Sequence, residues 1–506
     1  MSQSIFQYII DHLDEDGCYT ETTLPDIPIT TIPRVLGEIE AAFYIADSDD
    51  ITPNDGNARK LISIINDYLN MPSAIRRKNL YDTAKDTPMG TIAEYFCNNF
   101  SQTRMTEACF DLARSLFYNS QNREPVKLAY LLFAIFGMSK IHQDDPELWH
   151  DLVACAHCEE FTFFFLFACR HEDYEPQKDF WQLLGCTKGW GKVFTLLDVH
   201  CENDYQRLWL IKHGMDFTVD FPSVAIKIIV DSKLAQFLGQ QSIDRDAYKG
   251  ALTIVNAYLV FASQAHPAEL AEDFNLEQVE LPRLLASLLH HAQALPHDYG
   301  DYLDLMAITI TLRRLIEENN YSQLSMELIH ELIAAFDKLI YKVNWQQALN
   351  TELIVDGAVN YDLCDMSFEL ELDIWEQLYD FWLQHPLEFR LFPYLLPFEG
   401  QHRSERVLNH ITELLPIYAS HQDALLIPLR YLRQFPGIGE AIVYAGLTGI
   451  FDWPRGVACV VLDAWGPEHL TPHLIEGLVQ ARSLSQNNVI NMRVEALLKG
   501  TEFRLG

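Results

Sequence analysis

Basic residues are what this chain has too few of. Its 506 residues hold 37 Lys and Arg against 71 Asp and Glu, a formal charge of −34. Nucleic-acid affinity depends on Lys and Arg neutralising phosphates, so the balance argues against a nucleic-acid partner. The same repulsion argues against an anionic membrane surface. Long apolar runs are missing too. The most apolar window, residues 161–168, falls well short of the roughly 20 residues that a membrane span requires. The first eleven residues lack the basic start and apolar core of a signal peptide, and they read as a short helix capped by Ser2 or Ser4. There is no Gly-x-Ser-x-Gly elbow and no Gly-Lys-Ser/Thr phosphate loop, which leaves serine-hydrolase and P-loop chemistry unsupported. Gly437-Ile438-Gly439 fails as a dinucleotide loop, because no strand precedes it and position 442 is not Gly. Cysteine is sparse. The ten that occur are scattered through helical segments, the pattern of buried thiols in a reducing compartment, and the expected location is the cytoplasm.

What the chain does have is repetition. Hydrophobic residues make up 49%, enough for a large packed core. From end to end, helical segments of 10 to 20 residues are cut by Pro, Gly or a short polar turn. The last stretch shows the unit. Residues 452–465 are nearly all apolar and are stopped by Gly466-Pro467. Residues 468–482 then carry Leu470, Leu474, Ile475, Leu478 and Ala481 at the spacing of one helix face, and Ile490, Val494, Leu497 and Leu498 rebuild that stripe. A buried helix beside an amphipathic one is the unit of a stacked repeat, whose neighbours supply the core that no single unit can make. The expected fold is therefore all-α, an α-solenoid of stacked helical hairpins of HEAT-like type. It divides into an irregular helical region over 1–124, a central repeat region over 125–350 and further repeats over 351–506. Helices are expected over 33–46, 58–70, 90–100, 104–118, 125–140, 146–159, 161–170, 177–186, 204–213 and 246–263.

One segment departs from the pattern. Asp356-Gly357 between β-branched runs predicts a short β-hairpin at 353–361. The helix expected next, over 367–384, is preceded and lined by Asp362, Asp365, Glu369, Glu371, Asp373, Glu376 and Asp380, with no Lys or Arg between 361 and 380. Such a run is either a solvated face or a docking surface for a basic protein partner.

Four segments carry a resemblance. They are Glu159-Glu160-Phe161-Thr162, Gly189-Trp190-Gly191-Lys192-Val193, Trp209-Leu210-Ile211-Lys212-His213-Gly214, and Trp453-Pro454-Arg455 with Leu462 and Trp465. Together they resemble a family of all-helical bacterial proteins, many of which bear the name limonene hydroxylase. The chain departs from that family after Gly-Trp-Gly. There the family has Arg and a His-Ala-Val-Glu run, while this sequence has Lys192 and then Phe194-Thr195-Leu196-Leu197. The resemblance implies a helical solenoid, and the family name implies a metal-dependent oxygenase.

A di-iron hydroxylase uses Glu-x-x-His pairs on two helices. Glu147 with His150 and Glu327 with His330 have that spacing on predicted helices, although this much Glu and His yields such matches by chance, and a third pair, Glu399 and His402, falls in a predicted loop. Cys155, Cys158, Cys169 and His171 form a conceivable zinc set, against which stands their position on a helical face rather than on a knuckle. Residues 435–442 resemble the hairpin of a helix-hairpin-helix element, but Glu440 stands where a basic residue belongs, so a turn between helices is the better account. Asp452 and Arg455 are expected to link neighbouring repeats, and Trp190, Trp209 and Trp465 to pack between helices. These readings point to a non-enzymatic scaffold that binds another protein, with no cofactor. A di-iron hydroxylase is the alternative.

Overall fold

The computed structural model describes residues 3–27, 35–44, 55–100, 106–264, 279–318, 324–396, 401–485 and 487–501. The fold is all-α: helix accounts for 74% and strand for 1%. No helix among the described residues is long and apolar enough to cross a membrane. The chain forms two compact units, one reaching to Val343 and the other beginning at Asn344.

In the first unit the helices Arg123–Phe136 and Glu159–Arg170 are central. Every residue from Pro125 to Ile135 is buried, including Lys127, and so is every residue from Glu160 to Leu166. Helices apolar on all sides belong inside a fold. Arg123–Phe136 packs against Glu107–Asn119 before it and Glu159–Arg170 after it, so the chain on both sides of residue 124 shares one core. Glu159–Arg170 in turn packs against Trp190–Asp198. Further along, Arg245–Gln264 lies on Tyr299–Glu317, which lies on Met326–Ile340.

Starts and stops follow local chemistry. Ser4 accepts from the Gln7 N–H and caps the helix Ile5–Asp11, one of the two caps expected. The helix expected over 125–140 breaks at Gly137, where φ is 112°. A new helix, Met138–Asp144, begins there because the Glu172 carboxylate takes the N–H and hydroxyl of Ser139. The helix Ala74–Lys85 has no counterpart among the expected elements, since its exposed, charged sequence carries no apolar stripe.

Two cysteines depart from the reading of ten free thiols. Cys18 and Cys186 are joined as a disulfide with Cα atoms 4.7 Å apart, closing a loop over a sequence separation of 168. Folding brings the N-terminal segment to the end of the helix Gln177–Cys186, a proximity that sequence spacing does not reveal.

In the second unit Ile354–Val355 pairs antiparallel with Ala358–Val359, and Asp356 and Gly357 both take positive φ in the turn, as the Asp-Gly signal requires. The helix expected over 367–384 is instead two, Tyr361–Glu369 and Trp375–Gln384, parted where Glu371 adopts a left-handed φ of 53°. From Leu426 onward each helix packs on the next but one, and every immediate pair except Asp452–Trp465 with Pro472–Leu484 packs together as well. Leu426–Leu432 meets Asp452–Trp465, Glu440–Thr448 meets Pro472–Leu484, and Asp452–Trp465 meets Asn488–Lys499. Arg455 is 1% exposed. It was expected to reach an acid on an adjacent repeat. It instead pairs with Asp452 on its own helix and donates to the carbonyls of Leu447 and Gly449, capping the preceding helix at its C-terminal end. Those carbonyls have no partner within their own helix, which is what draws the guanidinium in. Trp465 is 2% exposed, and its indole N–H donates to the Leu432 carbonyl at 2.7 Å.

Two outcomes follow. Trp465→Ala removes a large packed side chain and strands the Leu432 carbonyl, at a cost of roughly 3–5 kcal/mol. Limited proteolysis of the variant should cut first between 426 and 499 and spare the unit ending at Val343, whereas cleavage unchanged from the parent protein would contradict this packing. Alkylation of the denatured, unreduced chain should label eight cysteines, with Cys18 and Cys186 labelled only after reduction. Mass spectrometry counts them directly.

Candidate functional site

Three of the four resembling segments meet in the first unit, around two adjacent carboxylates. Glu159 opens the helix Glu159–Arg170, and its side chain turns to the start of the helix Trp190–Asp198. It accepts the N–H groups of Lys188 at 2.8 Å, Gly189 at 2.7 Å and Gly191 at 3.4 Å. A carboxylate at a helix N-terminus satisfies orphan donors and complements the helix dipole. The glycines serve this approach: a Cβ on Gly191 would lie 2.8 Å from Thr162 Oγ1, and one on Gly189 would collide with the Glu159 carboxylate. Trp190 is half-buried with its ring edge-on to Phe221, and Trp209 is half-buried against Trp181. Lys192, buried, donates to the Asp216 carbonyl at 2.8 Å and lies over the Trp209 ring. Burial lowers its pKa to about 8, with Asp216 opposing.

Glu160 points the other way, into a buried ionic cluster. Lys127 Nζ stands 2.6 Å from Glu160, 2.8 Å from Glu40 and 3.3 Å from Glu124. Arg123 Nε joins at 3.3 Å from Glu160, and the Gly37 N–H donates to the same carboxylate at 3.2 Å. The Lys127 side chain is fully buried and lies over the Phe164 ring. Burial pulls its amine toward neutrality, and the three carboxylates more than reverse that, so its pKa is raised. Glu160 is held below its ordinary value because Lys127 and Arg123 outweigh its burial. Glu40 goes the other way. Burial, with Glu160 and Glu124 adding, pushes it up to about 7 against the pull of Lys127. Two cations facing three carboxylates leave one negative charge in excess, and Glu40 is where a proton removes it. Lys127, Glu40 and Glu160 are closed off from solvent, with Arg123 and Glu124 at the partly exposed edge. The cluster ties Glu38–Tyr44, Arg123–Phe136 and Glu159–Arg170 together.

The metal-ligand candidates are placed apart from this core. Glu147, His150, Glu327 and His330 are all exposed on the outer faces of Pro146–Ala156 and Met326–Ile340. Cys155, Cys158 and Cys169 are buried while His171 is exposed, and burial raises all three thiol pKa values. Among the described residues no group of three or more His, Cys, Asp or Glu side chains is placed to hold a metal ion. The glycine turn before Glu440 takes positive φ at Gly437 and Gly439, and Glu440 itself accepts from Thr471.

The acidic helices of the second unit remain as a surface. Asp362, Asp365, Glu369, Glu371, Asp373, Glu376 and Asp380 are all exposed. Some of these charges are answered within the fold. Arg403 grips Asp373 at 2.7 Å and Arg406 grips Glu376 at 3.0 Å, with both guanidiniums over the Trp375 ring, and the Tyr394 hydroxyl donates to Asp365. Glu369, Glu371 and Asp380 form no ion pair with a described residue. Beside them Phe368 is 63% exposed, a feature that the sequence reading did not single out.

No protein-family model, curated protein or solved structure matches the chain. The geometry supplies a packing reason for the resembling segments: Glu159, Glu160 and the Gly-Trp-Gly turn are parts of one joint between helices.

Lys127→Met leaves three buried carboxylates without their central cation and should cost about 3–5 kcal/mol. The Glu40 pKa lies above its ordinary value, so its contribution is complete below about 4.5 and is lost as pH rises through about 7. Urea unfolding followed by circular dichroism between pH 5 and 8 should therefore show stability falling with pH, and Glu40→Gln should flatten that slope. A slope unchanged in Glu40→Gln would place the titration elsewhere.

Proposed function

We propose that this chain is a non-enzymatic α-solenoid scaffold that binds a basic protein through the acidic helices Tyr361–Glu369 and Trp375–Gln384. The observation that carries the reading is Phe368, a large aromatic left 63% exposed beside the carboxylates of Glu369 and Glu371, which form no ion pair with a described residue. An exposed aromatic with a charged rim suits a partner that covers the ring and brings Lys or Arg to its edge. The Arg403 and Arg406 clamps make the adjoining surface stiff, which lowers the entropy lost on docking. The solenoid part of the reading rests on the packing of each helix on the next but one after Leu426. Eight free cysteines, seven of them buried, support the cytoplasm as its location, and the Cys18–Cys186 disulfide weighs against it.

Affinity capture from one cell extract tests this, using the purified protein beside a Phe368→Ala variant and a Glu369→Lys/Glu371→Lys variant. A Lys- and Arg-rich protein should be retained by the parent and released by salt. Loss of the aromatic anchor should cost about 2 kcal/mol or more, roughly thirty-fold in affinity. Recovery of the same proteins by all three baits would overturn the assignment of this surface.

A further inference from the structure

The helices Pro472–Leu484 and Asn488–Lys499 turn an apolar face to solvent. The first packs on Glu440–Thr448 and the second on Asp452–Trp465. Gly477 faces Leu447 and Tyr444 of Glu440–Thr448, so Val479, two residues and about 200° further round its helix, points away from that support. In the same way Ile490 lies against Gly456 of Asp452–Trp465, and Met492, two residues on, points outward. Val479 and Met492 are 56% and 54% exposed, and Ile475 and Val489 are exposed beside them. Ile475 was expected on the buried stripe of its helix. The two outward faces adjoin, because Arg482 reaches Glu495 at 2.7 Å across the seam between the helices. Arg482 follows Val479 by three residues and Glu495 follows Met492 by three, which sets the ion pair at the edge of one apolar strip. A stack of helices that ends in solvent closes on a polar face, and this strip is not one.

We propose that this strip docks on the same strip of a second copy of the chain, pairing four helices across a two-fold axis. Charge favours that partner. With 71 acidic against 37 basic residues, two copies of the chain repel each other over most of their surface. Between residues 472 and 499 the balance reverses, with Glu476 and Glu495 against Arg482, Arg493 and Lys499. Two copies meet here without that repulsion. An axis near Val479 runs the two copies of Pro472–Leu484 antiparallel, so the Glu476 end of each helix lies beside the Arg482 end of the other. The antiparallel helix dipoles favour the same arrangement. Val479 and Met492 of both copies then leave water together, and the two-fold closes the assembly at two chains.

Sedimentation equilibrium of the full-length protein, over roughly a hundredfold range of concentration, reads the association. A monomer–dimer equilibrium is expected, weakened about tenfold or more in Val479→Glu and in Met492→Glu. Both side chains are more than half exposed, so each variant should keep the circular dichroism of the parent protein. Val479→Cys reads the axis. Mild oxidation should join two chains of that variant into a species of doubled mass on a non-reducing gel, absent from the parent protein and lost on reduction. Absence of that species would overturn the antiparallel arrangement. A monomer at every concentration, a dimer that both glutamate variants leave unchanged, or a strip that binds only a different protein would overturn the proposal as a whole.

Discussion

The first unit depends on one buried cation. Lys127 has no access to solvent and stands within ion-pair distance of glutamates from its own helix and two others. Removing an ammonium and three carboxylates from water is expensive, and their attraction repays it only where the geometry is good and the remaining lone pairs are met. Here Gly37 and Met89 supply backbone N–H groups to Glu160 and Glu124, and Arg123 adds a second cation. An apolar core tolerates sliding between helices, whereas three carboxylates sharing one ammonium do not. The cluster therefore fixes the register in which Glu38–Tyr44, Arg123–Phe136 and Glu159–Arg170 meet.

The neighbouring Glu159 extends that constraint. Two adjacent carboxylates face opposite ways, one into the ionic cluster and one onto the amides of Lys188, Gly189 and Gly191. The pair joins the interior of the unit to the helix Trp190–Asp198, and Lys192 carries the link on to Asp216. The segments that stand out in the sequence thus have a packing role. By contrast, the surfaces suited to binding carry little sequence signal: Phe368 is one aromatic among 29 phenylalanines, and Val479 is an ordinary valine until its exposure is known.

Much of the helical layout was legible in the sequence, because Pro, Gly and capping residues punctuate it. Asp452–Trp465, Gln177–Cys186 and Asp204–His213 begin and end where the pattern predicts. The hairpin at Asp356-Gly357 was legible for the same local reason. The failures share a different cause. The break at Gly137 depends on Glu172 arriving from the turn after Glu159–Arg170, and Arg455 turns to carbonyls of the helix before it because those groups lack partners there. Ala74–Lys85 has no stripe to read. The Glu-x-x-His pairs satisfy a spacing rule, yet both face outward, since spacing along one helix says nothing about what stands opposite.

The Cys18–Cys186 bond has a mechanical consequence. Tension applied at the N-terminus passes from Cys18 straight to Cys186, so the helices between them bear none of it. An unfolding machine that threads the chain from that end would have to admit two strands side by side, or wait for reduction. While the bond is intact, those helices, with Lys127 and its glutamates among them, cannot be drawn out one at a time.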